Sequence, residues 1–102
     1  MTKEQIIEKI TNPTTKGGEY FQRFYENQPD LFWKFYELNT DNEVDTSTGS
    51  EFQILGKQVE MQMFNLENIL TSRQTGSKST EKTVTAFYDL VESYFPLYGK
   101  IE

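Results

Sequence analysis

The chain has 102 residues and a net charge of −6, with eight Phe, six Tyr and one Trp but no Cys and no His. These absences exclude disulfides, thiolate metal sites and catalysis by cysteine or histidine, so we expect no metal, no cofactor and no enzymatic activity. No apolar run approaches the roughly 18 residues of a membrane span, and the first residues lack an apolar signal region. We therefore expect a single cytoplasmic domain.

The first predicted helix covers residues 2–10. Its three Ile residues fall on one face, and Thr2 is in position to cap its start. The break over 12–18 holds one proline and the pair Gly17–Gly18. Because glycine and proline interrupt regular structure, this break is predicted to be a linker.

Two aromatic-rich helices are predicted next, over 19–28 and 30–39. Pro29 disfavours the helical conformation of the residue before it and removes a hydrogen-bond donor, so we expect a kink or a tight corner near Asn27–Asp30. Asp30 is expected to cap the second helix. Trp33 lies off the apolar stripe of that helix, which is typical of a side chain that contacts a partner protein.

Residues 40–50 are polar, and the segment between Glu37 and Glu51 contains no Lys or Arg. The composition predicts a mobile, solvated loop or an acidic contact surface for a basic partner. The alternating oxygen-bearing side chains also resemble the start of a calcium-binding loop. Thr46 stands where such a loop needs Gly, however, and Phe52 stands where it needs Glu, so calcium binding is disfavoured.

The strongest helical pattern covers 51–72, preceded by a capping-box pattern at Ser50 and Gln53. Glu60 and Glu67 lie seven residues apart and are interpreted as part of its solvated face. Apolar residues recur at steps of three and four along a seam of Phe52, Leu55, Val59, Met63, Leu66 and Leu70, and the apolar face is widened by Ile54, Met61, Phe64 and Ile69.

The last helix is predicted over 80–95 and ends at Pro96. It follows a polar break over 71–79, which lets it form a hairpin with the helix over 51–72. The tail over 97–101 is able to pack back on the bundle. The fold class predicted by these segments is all-α, a compact antiparallel bundle of four to five helices.

The segment 71–84 allows an alternative interpretation as a DNA-binding helix-turn-helix. Its turn is longer than the three to four residues of that motif, and Lys82 stands where an apolar residue is expected. The residues that would contact DNA are Arg73, Lys78, Ser79, Thr80 and Lys82.

The leading hypothesis is a non-catalytic protein-binding module, with DNA binding as the alternative. Size and acidity suit an accessory, adaptor or inhibitor protein of the kind that phages and plasmids encode. The partner is expected to be another protein or a second copy in a homodimer, because self-association stabilises a domain with a small core. The predicted partner-binding residues are Trp33, Tyr36, Glu37, Asp41, Glu43 and Asp45.

Overall fold

A computed structural model describes residues 2–41, 45–73 and 77–102, with residues 73 and 77–79 described by their backbone alone. Within these ranges the chain is entirely helical apart from its connections, which confirms the predicted all-α bundle. Each of the five predicted helices is present, with ends displaced by at most three residues. The elements are α1 (Lys3–Thr11), α2 (Lys16–Asn27), α3 (Pro29–Thr40), α4 (Ser50–Arg73) and α5 (Ser77–Tyr94), with 3-10 turns at Thr46–Thr48 and Tyr98–Lys100.

The core is built largely from phenylalanine rings of helices α2, α3, α4 and α5 and from the ring of Phe95. The ring of Phe95, which directly follows α5, lies 5.0–6.4 Å from the rings of Phe21, Phe24, Phe32 and Phe35. Aromatic pairs at these separations stabilise a core beyond their apolar area. The aromatic residues of α2 and α3 therefore hold the bundle together.

The predicted seam of α4 faces this core. Five of its six residues are buried, and Leu55 packs against the core while remaining partly exposed. Since α4 contacts α2, α3 and α5, its inward face is fully used within the chain. The buried seam residues are Phe52, Val59, Met63, Leu66 and Leu70.

The prediction of a linker at Gly17–Gly18 is wrong. Helix α2 begins at Lys16, and the Thr15 side chain caps it by accepting a hydrogen bond from the Gly18 amide at 2.9 Å. Both glycines are buried, and a Cβ atom on Gly17 would lie 2.5 Å from the backbone nitrogen of Phe87. The glycines therefore allow α2 and α5 to approach closely.

The tight corner at Pro29 is confirmed, because α2 ends at Asn27 and α3 begins at Pro29 with only Gln28 between them. The prediction that Asp30 caps α3 is wrong. Gln28 occupies the cap position, and Asp30 lies within the first turn. There its carboxylate is favourably placed against the positive end of the helix dipole.

The connection between α3 and α4 contains a hydrogen-bonded 3-10 turn. Asp45 caps this turn by accepting from the Ser47 amide at 3.0 Å, and the Thr46 hydroxyl donates to the Leu38 carbonyl at 2.6 Å. This part of the predicted solvated loop is therefore packed against α3. Residues 42–44 lie outside the described residues.

The tail after α5 packs back on the bundle, as predicted. The side-chain amide of Gln53 donates to the Lys100 carbonyl at 3.1 Å and accepts from the Glu102 amide at 2.9 Å. Gly56 leaves room for the tail, since a Cβ atom there would lie 2.9 Å from Ile101. A small residue in mid-helix thus makes space for a residue of the tail.

The predicted capping box of Ser50 and Gln53 is wrong. Ser50 is the first residue of α4, and the Gln53 side chain donates to the Ser47 carbonyl at 3.0 Å as well as binding the tail.

Within the described ranges, no helix combines the length and the apolarity needed to cross a bilayer.

Candidate interaction surface

Trp33 is half-buried and engaged by other residues of the same chain. Its indole N–H donates to the Tyr25 hydroxyl at 3.3 Å, and its ring meets the Phe32 ring edge-on at 4.9 Å. The Lys3 ammonium lies 5.0 Å from the ring centroid. The polar atom and part of the ring surface are therefore already used, which leaves less of Trp33 for a partner than the sequence suggested.

Of the other predicted contact residues, Tyr36 lies against Trp33, with ring centroids 5.7 Å apart and the rings nearly perpendicular. Tyr36 is half-buried and stacks on Phe32 at 5.7 Å, whereas Glu37 and Asp41 are exposed near the end of α3. Glu43 lies outside the described residues.

Asp45 has a structural role in the described chain. Hydrogen bonds from the Ser47 hydroxyl and amide hold the pKa of the Asp45 carboxyl below its usual value. The Lys100 ammonium lies 3.5 Å from the same carboxylate, which joins the 3-10 turn to the tail. Both groups are more than half exposed, so this ion pair contributes little stability.

The segment proposed for DNA contact is only partly described. The side chains of Arg73, Lys78 and Ser79 lie outside the described residues. Thr80 is half-buried, and Lys82 is exposed.

Near the described part of this segment, α4 and α5 border a surface cleft of about 410 Å³. Among the described residues, its charged lining residues are Glu67 and Glu81, so this part of the cleft is acidic. Such a surface repels the phosphate backbone of DNA. The described residues that line it are Glu67, Thr71, Thr80, Glu81, Val84 and Thr85.

Among the described residues, the most exposed large apolar side chains lie on α4. The exposed fraction is 61% for Ile54, 65% for Met61, 59% for Phe64 and 38% for Ile69. We call these four residues the apolar row. At about 100° of rotation per residue, Ile54, Met61 and Phe64 fall on the side of α4 opposite the buried seam, and Ile69 lies on one flank of that side. The four residues extend over about 22 Å.

The sequence contained a signal for this surface that the prediction did not use. The six seam residues already fill the inward face of α4, so further apolar residues on the same helix must point elsewhere. The prediction treated them as a widening of the core face. The packing of α4 against its neighbours decides that no other helix covers them.

Two carboxylates and two tyrosines border one edge of the apolar row. The Glu67 carboxylate lies beside the Tyr88 hydroxyl, and the Tyr88 and Tyr98 rings lie 6.5 Å apart. Burial and the Glu67 carboxylate raise the pKa of Tyr88. Burial and the negative charges of Glu60 and Glu67 raise the pKa of Tyr98 to about 12. Both phenols therefore remain neutral at pH 7.

A second concavity of about 360 Å³ lies between the α1–α2 connection and α5. Its apolar lining includes Phe21 and Leu90, and its charged lining residues are Lys9 and Asp89. These two charges are opposite in sign, so the concavity has no preference for an anion or a cation. In the described part of the chain, no three acidic side chains gather in a way that could hold a metal ion.

Comparisons with protein-family models, with curated proteins and with solved structures found no match to this chain. Its function is therefore inferred from its own residues and contacts.

Proposed function

We propose that the protein is a non-catalytic protein-binding module and that it binds its partner through the outer face of α4. The apolar row is the observation that carries this proposal. Single exposed apolar residues are common on protein surfaces, but several large ones along one helix face are typical of an interaction site. Covering them would remove apolar surface from water, which favours association.

This proposal places the contact on α4 rather than on the predicted surface of α3. Ile54, Met61 and Phe64 are each more than half exposed, whereas Trp33 is half-buried and donates a hydrogen bond to Tyr25. A side chain already packed within its own chain has less apolar area to lose on binding. The α3 surface serves as the comparison surface in the test.

We do not propose DNA binding. In the described part of the 71–84 segment, Lys82 is exposed, and its neighbour in sequence, Glu81, lines an acidic cleft. The chain as a whole carries a charge of −6, which opposes contact with phosphates.

The test is selection of binding peptides from a random displayed library against the immobilised full chain. Two variants serve as counter-baits: Met61→Ser with Phe64→Ser on α4, and Trp33→Ala on α3. Since Met61 and Phe64 are exposed, the double variant should keep the fold, which circular dichroism and thermal unfolding check. We expect the selected peptides to bind the wild-type chain and the Trp33→Ala variant but not the double variant.

Two results would reject the proposal. The first is that no peptide distinguishes the wild-type chain from the folded double variant. The second is that the selected peptides bind the α4 double variant but not the Trp33→Ala variant, which would assign binding to the predicted α3 surface instead.

A further inference from the structure

Charges are distributed unevenly along the two edges of the apolar row. By helical rotation, Glu60 and Glu67 lie on the edge that faces α5, while Gln58 and Gln62 lie on the other edge. Lys57 is the single basic residue between 50 and 72, and it lies on the same outer face. Glu51 lies on the same edge as the two glutamines, so the edge that faces α5 carries two carboxylates and the opposite edge carries one.

The acidic edge continues across the cleft between α4 and α5. Glu67 lines this cleft on the α4 side, and Glu81 lines it on the α5 side. Tyr88 and Tyr98 extend the same edge with aromatic rings that lie beside Glu67 and Glu60. Carboxylates beside tyrosine rings favour a cation, because both the negative charge and the ring face attract it.

We propose that the outer face of α4 binds a basic amphipathic helix of a partner protein. The apolar side of that helix would cover the apolar row, and its Arg or Lys side chains would reach the cleft between Glu67 and Glu81. This inference rests on the proposed function and adds the chemistry of the partner. An apolar helix face with a basic flank matches the shape, the length and the charge of this surface.

A second copy of the chain matches the surface less well. Each copy carries a charge of −6, so two copies repel each other at a distance. In a symmetric antiparallel pair of α4 helices, the two-fold axis would place the Glu60 and Glu67 edge of one copy beside the same edge of the other. The apolar contact would then form against repulsion between like charges.

The proposal is tested with three fluorescent peptides of about 18 residues, long enough as a helix to cover about 27 Å. The first has a Leu face flanked by Arg, the second replaces Arg with Glu, and the third scrambles the first. Anisotropy is measured at about 50 and 200 mM salt against the full chain. We expect the first peptide to bind at least about tenfold more tightly than the others, and less tightly at the higher salt.

Variants of the full chain assign the contact. Met61→Ser with Phe64→Ser should weaken binding of the basic peptide about tenfold or more. Glu67→Gln with Glu81→Gln should weaken it several-fold and reduce its salt dependence. The matched control is Glu8→Gln with Glu19→Gln, which makes the same change in net charge at exposed positions of α1 and α2.

Each of the following results would overturn the basic-helix partner. The acidic or the scrambled peptide could bind as tightly as the basic one, or the control pair could weaken binding as much as the change at Glu67 and Glu81. Sedimentation could reveal a dimer that the change at Met61 and Phe64 dissociates, which would assign the surface to a second copy. If library selection instead yields neutral or acidic peptides that need Met61 and Phe64, the proposed function stands and the basic partner is rejected.

Discussion

The buried side chain of Asn39 connects α3 to the segment that follows α5. Its Oδ1 atom accepts a hydrogen bond of 2.8 Å from the Leu97 amide, 58 residues further along the chain. Its Nδ2 group donates to the Phe35 carbonyl at 2.8 Å. One polar side chain thus satisfies groups on two segments at the edge of the core, where an unpaired amide would be costly.

Replacing this residue by Asn39→Leu should destabilise the fold by about 1–3 kcal/mol, because the Leu97 amide loses its partner. Urea unfolding followed by circular dichroism measures the change. Asn12→Leu is the matched control, since Asn12 makes a similar bond to the Glu8 carbonyl at 2.8 Å but is exposed. Equal losses in the two variants would contradict a special role for the bond to Leu97.

A methyl group at Gly17 should separate two helices. In Gly17→Ala the new Cβ atom would lie 2.5 Å from the backbone nitrogen of Phe87 and 3.0 Å from its Cα atom. Backbone atoms of a packed helix do not rotate away, so we expect a loss of about 1–3 kcal/mol despite the better helix propensity of Ala. Thermal and urea unfolding provide the measurement.

Gly99→Ala is the control for this experiment. A Cβ atom at Gly99 has no neighbour within 4 Å, so the substitution should change the free energy of unfolding by less than about 0.5 kcal/mol. An unchanged stability of Gly17→Ala would mean that α2 and α5 do not approach as closely as described.

The tail should loosen when Gln53 is replaced by Ala. The Gln53 side chain makes hydrogen bonds to both Lys100 and Glu102, so its removal should speed amide hydrogen exchange at Glu102. Exchange at the buried Val59 should change far less. Gln58→Ala, an exposed glutamine on the same helix, is the control and should leave exchange in the tail unaltered.

Stability should fall at alkaline pH because Tyr88 and Tyr98 resist ionisation in the folded chain. The folded-state pKa of Tyr98 is raised from 10.0 to about 12, so the folded state holds its proton at a pH where the unfolded state releases it. This contribution is fully present below about pH 10 and is lost as the pH rises through about 12. Urea unfolding at a series of pH values measures the loss.

Glu67→Gln tests the cause of these shifts. Removing the negative charge should lower the pKa of Tyr88 and of Tyr98, but both should stay above the usual value because burial is the larger cause. Residue-specific NMR titration of the tyrosine Cζ signals follows each phenol separately. The control Glu8→Gln should leave the pKa of both tyrosines unchanged. An equal pKa shift in this control would contradict the assignment to Glu67.

The predicted helices and the inward seam of α4 follow from local rules. These rules use apolar residues at helical spacing, prolines and polar breaks. Each of these signals acts within about one helical turn of its own position, so the helices can be predicted from local sequence. The corner at Pro29 and the burial of Val59 and Met63 were predictable on that basis.

Long-range packing decided the features that the sequence misassigned. From local sequence, Gly17 is typical of a linker and Gln53 of a helix cap. In the folded chain, Gly17 packs against Phe87, and Gln53 binds Lys100, which lies 47 residues further along the chain. That Met61 and Phe64 remain uncovered is a feature of the same kind. An apolar side chain becomes a contact surface only when its neighbours leave it uncovered, and which neighbours do so is set by tertiary packing rather than by local sequence.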